Sequence, residues 1–190
     1  MGQRVFVDAN ILVSKTCMDW LFLLHQTSGS MFNLASTEDV ISEVVKARRR
    51  NHPQAPGHST FRRANLIRKC LDEILIDFPS SLPFTGSDND DYHVHAAACA
   101  YNADLLLTND SPSHFTSSPQ KETYEVITAD NFFILIADSA PELLPPVIKK
   151  QQSYWGKQSK NPLPLPDALR KSDCPDFAER VQYEIEKQDS

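Results

Sequence analysis

A short apolar run that ends in an acidic residue constrains the fold more than any other feature of this sequence. Val5–Val7 is followed directly by Asp8. An apolar run this short, this near the start of the chain, is typical of a buried strand and not of a helix. A second run, Leu105–Leu107, leads into Thr108-Asn109-Asp110. Because ligands bind outside the carboxyl ends of parallel strands, both acidic segments are expected at one edge of a sheet.

Strand-like segments alternate with helical segments over most of the chain. The helical segments carry apolar residues at helical spacing or are rich in alanine. This alternation predicts a three-layer α/β/α sandwich with a mainly parallel central sheet of about five strands. The predicted strands are 5–7, 31–35, 74–78, 105–110 and 125–128.

The alternation stops beyond Ser139, and the composition changes there. Seven of the 13 prolines follow residue 140, and the last helical segments each have one apolar face. We therefore expect an α/β domain over residues 1–138. Residues 139–190 are expected to form a proline-rich linker and a small helical extension.

Two further acidic segments add to the acids at the predicted sheet edge. Glu43 lies near the apolar face of the helical segment after Ser36, and Asp88-Asn89-Asp90-Asp91 precedes an alanine-rich helix. Helix capping explains one or two of the acids in this second segment, but not three within four residues. Crowded carboxylates raise each other's pKa unless a cation neutralises them. Oxygen ligands of this kind are typical of Mg²⁺ or Mn²⁺ sites.

The distribution of charge leaves two interpretations of the basic residues open. The net charge of −6 argues against a broadly basic surface. However, the segment from Lys46 to Lys69 contains eight basic residues and no acid. It would either contact an RNA backbone beside the metal site, or form solvated helices or an interface for an acidic protein partner.

The cysteines and two neighbouring histidines are predicted to be structural. The four cysteines form no CxxC pair, which favours reduced core thiols in a cytoplasmic protein over a disulfide framework or a zinc site. His93 and His95 point to different faces of a helix and so cannot chelate one ion together. We expect both to be structural or exposed. The chain has neither an apolar run of roughly 18 residues nor a signal-peptide pattern, so no membrane segment is expected.

Four motifs in this order resemble the PIN domain, and within it the VapC-type toxins of bacterial toxin–antitoxin systems. They are Val7-Asp8-Ala9-Asn10, Ser36 to Glu43, Asp88 to Asp91 before the alanine-rich helix, and Leu107 to Asp110 followed by Phe115. The similarity covers about residues 4–138. The proline-rich tail looks like the extension that one subgroup of these toxins carries.

This resemblance implies an endoribonuclease that depends on Mg²⁺ or Mn²⁺ and hydrolyses phosphodiester bonds of RNA, often of structured RNA such as tRNA. It implies that the catalytic acids are Asp8, Glu43, Asp91 and Asp110. The metal ligands would be Asp8, Asp91 and Asp110, and Asp88 and Asp90 are the alternatives for the third acid. Glu43 would position or deprotonate the attacking water.

The resemblance also implies partners. A cognate antitoxin would inhibit the enzyme, and we expect one of its Arg or Lys side chains to insert among the acids. A homodimer is a further expectation. Substrate contacts are expected from Asn10, Asn109, Lys46, Arg48 and Arg49.

Two other functions compete with this interpretation. A hydrolase of the haloacid-dehalogenase type also has an Asp after its first strand, but it needs a second Asp where this chain has Asn10. A catalytically inert PIN-like module that binds protein or RNA is the second alternative. Metal binding distinguishes the inert module from a nuclease, because a nuclease of this kind must bind Mn²⁺ and an inert module has no need of it.

Overall fold

A computed structural model describes residues 2–158 and 162–189 of the chain. Residues 159–161 of the predicted linker, and the two end residues 1 and 190 of the predicted domains, lie outside this part. The described residues form β1 Gln3–Val7, β2 Phe32–Thr37, β3 Glu73–Leu75, β4 Leu105–Leu107 and β5 Glu125–Ile127. The α-helices are α1 Ala9–Val13, α2 Lys15–Ser28, α3 Glu38–Asn51, α4 Gly57–Cys70, α5 Tyr92–Tyr101, α6 Pro112–Phe115, α7 Ala129–Ser139, α8 Leu144–Gln158, α9 Leu165–Arg170 and α10 Pro175–Asp189.

The five strands form one sheet in the order β3-β2-β1-β4-β5, and every neighbouring pair is parallel. This confirms the predicted α/β class with a parallel sheet of five strands, and it is consistent with a three-layer sandwich. β1 is the central strand, and Val7 is paired with Leu107 of β4. Asp8 and Thr108 therefore leave neighbouring strands at the same level of the sheet.

The edge strand β3 is shorter than the sequence suggests. The apolar segment 74–78 predicts a strand, but β3 ends at Leu75, and Ile76 is 94% exposed. Leu75 pairs with Thr37, which is the last residue of β2. Thr37 also caps α3, because its Oγ1 accepts from the N–H of Val40 at 3.2 Å. The neighbouring strand thus turns into a helix, and Ile76 has no strand to pair with.

The described residues form two compact units. The first contains residues 2–13 and 30–127 and holds the whole sheet. The second contains residues 14–29, 128–158 and 162–189 and is helical. The division proposed from sequence, 1–138 and 139–190, concerns a catalytic domain and an extension, and it stays a prediction.

The helical unit has an aromatic core of its own. The ring of Phe177 lies 5.0 Å from Trp20 and 5.1 Å from Phe133, measured between centroids. The buried Asp130 carboxylate accepts from the backbone N–H groups of Asp176 and Phe177 and so caps the start of α10. No single helix in the described ranges is long and apolar enough for a membrane span. The helices 129–139 and 141–157 pass that test only as a pair, with a bend of 104° between them.

Candidate metal centre

Asp8 is held in place by donors from both strands at the sheet edge. It follows β1 directly and is 4% exposed. Its Oδ1 accepts from the N–H of Ala9 at 2.6 Å. Its Oδ2 accepts from the hydroxyl of Thr108 at 2.7 Å and from Nδ2 of Asn10 at 3.0 Å. These contacts fix the direction in which the carboxylate points.

Asn10 joins the ends of β1 and β4. Besides Asp8, its Nδ2 lies 2.8 Å from Oγ1 of Thr108 and 2.8 Å from Oδ2 of Asp110. Its Oδ1 accepts from the backbone N–H of Asn109 at 3.1 Å. Thr108 is fully buried and also accepts from the backbone N–H of Asp110 at 3.1 Å. Asn10 and Thr108 thus hold the two carboxylates at a fixed separation.

A cleft of about 400 Å³ opens beside these carboxylates. All four predicted catalytic acids line it. The residues that line it are Asp8, Ala9, Asn10, Val13, Glu43, Lys46, Ala47, Arg50, Asp91 and Asp110. The fold therefore brings together acids that are up to 102 residues apart, between Asp8 and Asp110.

Of the three acids in the segment 88–91, Asp91 lines the cleft. Oδ1 of Asp88 instead accepts from the N–H of Asp90 at 3.0 Å and caps a single 3-10 turn. Asp90 is exposed. Asp91 lies at the end of this turn, immediately before α5. Asp88 and Asp90 remain alternatives to Asp91 in the predicted catalytic set.

Two of the cleft acids have pKa values above the ordinary value of an aspartate. Burial raises the pKa of Asp8 to about 6, although the hydrogen bonds from Thr108 and Ala9 oppose this shift. Burial also raises the pKa of Asp91 to about 6, and the charges of Asp88 and Asp110 add to the effect. A cation bound in the cleft would neutralise these carboxylates and favour their ionised form.

Two histidines that the sequence does not mark as site residues contact the acids. Nε2 of His93 lies 2.8 Å from Oε1 of Glu43, and this hydrogen bond raises the pKa of His93. Nδ1 of His114 lies 3.5 Å from Oδ2 of Asp91. One ligand atom each of Asp88, Asp91 and His114 lie within 4.8 Å of one another, so this group could hold a metal ion.

The basic residues of α3 divide between different surfaces. Lys46 and Arg50 line the cleft with Glu43, because positions i, i+3 and i+7 share one face of a helix. Arg48 lines a separate pocket with the loop after α3. Arg49 donates to the carbonyl of Ala55 at 2.6 Å. Of the predicted basic contacts, Lys46 therefore lies at the cleft, and Arg48 and Arg49 lie away from it.

Asn109 also lies outside the set of cleft-lining residues and is exposed. Arg50 and Thr108 are site residues that were not predicted. The helical spacing from Glu43 would have identified Arg50. Thr108 lies between a buried strand and a predicted acid, which is also visible in the sequence. The contacts of His93 and His114 depend on the tertiary structure alone.

Comparison with known proteins gives no match to a family model, to a curated protein or to a solved structure. Membership of the PIN-domain family therefore stays a prediction that rests on the four sequence motifs.

Proposed function

We propose that this chain is a Mg²⁺- or Mn²⁺-dependent endoribonuclease that hydrolyses phosphodiester bonds. The supporting observation is the gathering of Asp8, Asp91 and Asp110 around one cleft at the carboxyl end of a parallel sheet. Folding places these acids around one cleft although burial there raises the pKa of Asp8 and Asp91. Such an arrangement suits a divalent cation, and the all-oxygen donor set suits a hard one.

Asp8, Asp91 and Asp110 would hold the ion. A bound Mg²⁺ or Mn²⁺ supplies charge stabilisation for the phosphate and lowers the pKa of a bound water. Asn10 and Thr108 keep the carboxylates of Asp8 and Asp110 oriented towards the cleft. The hydrogen bonds from Thr108 and from the N–H of Ala9 also favour the ionised form of Asp8, which is the form that binds a cation.

Glu43 is the proposed general base. It lines the cleft, and its side chain is partly exposed. It would accept a proton from the attacking water. His93 donates from Nε2 to Glu43 at 2.8 Å and so holds one of its oxygens in place. His93 is thus a positioning residue in this proposal.

Lys46 and Arg50 would bind the phosphates that flank the scissile bond. They are four residues apart on α3 and face the same cleft as Glu43. The Cβ atoms of residues at this spacing, about one helical turn, are roughly 5–6 Å apart. The choice of RNA as the substrate follows from the resemblance to VapC-type toxins, and the proposed cytoplasmic location follows from the cysteine pattern.

A cognate antitoxin completes the proposal. A guanidinium or ammonium group inserted between Asp8, Asp91 and Asp110 would replace the charge of the metal ion and block the cleft. Inhibition of this kind predicts that antitoxin and Mn²⁺ compete. The expected homodimer stays a prediction.

The test is cleavage of total cellular RNA by the purified chain with Mn²⁺, with EDTA, and with Asp8→Asn in parallel. Discrete fragments are expected only from the wild-type chain with Mn²⁺. Asp77→Asn is the matched control, because Asp77 is exposed and outside the cleft. Equal cleavage by Asp8→Asn would contradict the proposal. A folded chain that neither cleaves RNA nor binds Mn²⁺ would favour the inert binding module.

A further inference from the structure

A second group of metal-ligating side chains lies on α5, away from the residues that line the cleft. His95 and Cys99 are four residues apart, so they lie on the same face of this helix. The thiol Sγ of Cys99 is 3.9 Å from Nε2 of His95. This spacing lets a helix offer two ligands to one ion.

The loop before β5 contributes a third ligand. Oε2 of Glu122 lies 4.0 Å from Nδ1 of His95. One ligand atom from each of His95, Cys99 and Glu122 lie within 4.8 Å of one another. His95 is 3% exposed, whereas Cys99 and Glu122 are only partly buried. A cation can therefore reach the group from the side of Cys99 and Glu122.

The imidazole of His95 has an oxygen atom within hydrogen-bond distance of each ring nitrogen. Nδ1 lies 2.7 Å from the hydroxyl of Tyr124, and Nε2 lies 3.2 Å from the carbonyl oxygen of Pro83. A metal-binding histidine in a protein almost always holds its other ring nitrogen in a hydrogen bond. Whichever nitrogen of His95 binds an ion, the opposite nitrogen keeps such a partner.

We infer that His95, Cys99 and Glu122 form a Zn²⁺ site that is separate from the acidic cleft. A thiolate, an imidazole and a carboxylate are the ligands of Zn²⁺, whereas the oxygen ligands of the cleft suit Mg²⁺ or Mn²⁺. Ligand atoms of a tetrahedral zinc site are about 3.4–3.6 Å apart. Sγ of Cys99 lies 3.9 Å from Nε2 of His95, whereas Oε2 of Glu122 lies 4.0 Å from Nδ1, so one of these two side chains must move towards the nitrogen that binds the ion. One ligand atom from each of the three residues already lies within 4.8 Å of the others.

Binding would replace one proton. The S–H bond of Cys99 breaks, its proton goes to solvent, and the sulfur electron pair binds Zn²⁺. The thiolate and the Glu122 carboxylate together balance the charge of the ion. Three protein ligands leave the fourth position to water. This site does not depend on the proposed ribonuclease activity.

The experiment uses Cd²⁺ as a spectroscopic substitute for Zn²⁺ in the full-length chain. Cd²⁺ bound to a thiolate gives a charge-transfer absorption in the near ultraviolet, whereas Cd²⁺ bound to carboxylates does not. The wild-type chain is expected to show this band and to saturate at one equivalent of Cd²⁺. Added Zn²⁺ should abolish the band by displacement. Absence of the band from the folded wild-type chain would overturn the inference.

Matched variants locate the sulfur ligand. Cys99→Ser is expected to lose the band, and Cys70→Ser is expected to keep it. Cys17→Ser is a necessary second control, because Sγ of Cys17 lies 3.9 Å from Sγ of Cys174 and this pair could also bind Cd²⁺. A band that survives in Cys99→Ser but disappears in Cys17→Ser would overturn the inference.

Glu122→Gln tests the third ligand without changing the shape of the side chain. We expect it to weaken Cd²⁺ binding at least ten-fold while the metal-free variant melts at the wild-type temperature. An unchanged affinity would remove Glu122 from the site and contradict the three-ligand assignment. Asp8→Asn should leave the absorption band unaltered, which separates this result from failure of the ribonuclease proposal.

Discussion

The buried hydroxyl of Thr108 connects the carboxylate of Asp8 to the backbone of Asp110. It donates to Asp8 and accepts from Asn10 and from the N–H of Asp110. Nδ2 of Asn10 also has three contacts, with Oδ2 of Asp8, Oγ1 of Thr108 and Oδ2 of Asp110. The position of both acids therefore depends on a residue that carries no charge.

Replacing Thr108 with Val is expected to destabilise the chain and to weaken metal binding. Val keeps the shape of the side chain but removes the three hydrogen bonds to Asp8, Asn10 and the N–H of Asp110, which costs about 1–3 kcal/mol. The pKa of Asp8 should rise further, because the Thr108 hydrogen bond lowers it. Urea unfolding and Mn²⁺ titration at neutral pH measure the two effects. Thr108→Ser keeps the hydroxyl and should recover most of both; equal losses in the two variants would contradict this role.

The raised pKa of Asp8 predicts how the free energy of unfolding depends on pH in the absence of metal. Its pKa is about 6 in the folded chain, above the ordinary value of 3.8. The folded chain thus binds more protons than the unfolded chain between these values. The stability from protonated Asp8 is fully present below pH 3.8 and is lost as pH rises through 6. A shift of about two pKa units corresponds to about 3 kcal/mol.

Urea unfolding in EDTA between about pH 4 and pH 7 checks this prediction. Titration of Asp8 should lower the free energy of unfolding as pH rises. Asp91 should lower it further, because its pKa is also raised. Asp8→Asn removes one titrating group, so its profile should be flatter than that of the wild type. Identical slopes for the two proteins would show that Asp8 does not titrate in this range.

At the level of the element, α3 carries both the proposed general base and the proposed phosphate contacts. The face of α3 at the cleft presents Glu43, Lys46 and Arg50, whereas its buried face holds Val40, Ile41 and Val44. Consecutive arginines at 48, 49 and 50 point in directions about 100° apart. Of these three arginines, only Arg50 therefore lines the cleft.

Lys46→Ala and Arg50→Ala are expected to raise the KM for RNA about 3- to 10-fold each, with little change in kcat, because each removes one phosphate contact. The salt dependence of KM should become weaker in both variants. Arg62→Ala is the matched control, since Arg62 is exposed on α4 and does not line the cleft. A larger effect from Arg62 than from Arg50 would contradict the assignment of this face.

At the level of the whole molecule, metal binding should stabilise the folded chain. An ion that binds only the folded state adds about 2.7 kcal/mol at a concentration of 100 times its Kd. Mn²⁺ is therefore expected to raise the melting temperature of the wild-type chain, and EDTA should reverse the change. Asp110→Asn should lose most of this response, since it removes an acid from the cleft. Asp77→Asn should keep it.

Much of the fold was predictable because local sequence sets the elements. The continuous apolar runs of β1 and β4 are typical of strands buried in a parallel sheet. Thr37 is the N-cap of α3, and Asn102 is the left-handed C-cap of α5. Both residue types are favoured at these positions. The length of β3 was not predictable, since it depends on where its neighbour β2 ends.

The sequence by itself determined the α/β class and the placing of acids at strand ends, because both follow from short-range apolar patterns. It also supplied the acids at 43 and 88–91 as candidates. Only the tertiary structure decided that Asp91 lines the cleft, that His93 meets Glu43, and that Glu122 lies beside His95 and Cys99 of α5. These contacts join residues from different elements, and their distances depend on how the chain packs and not on any local pattern.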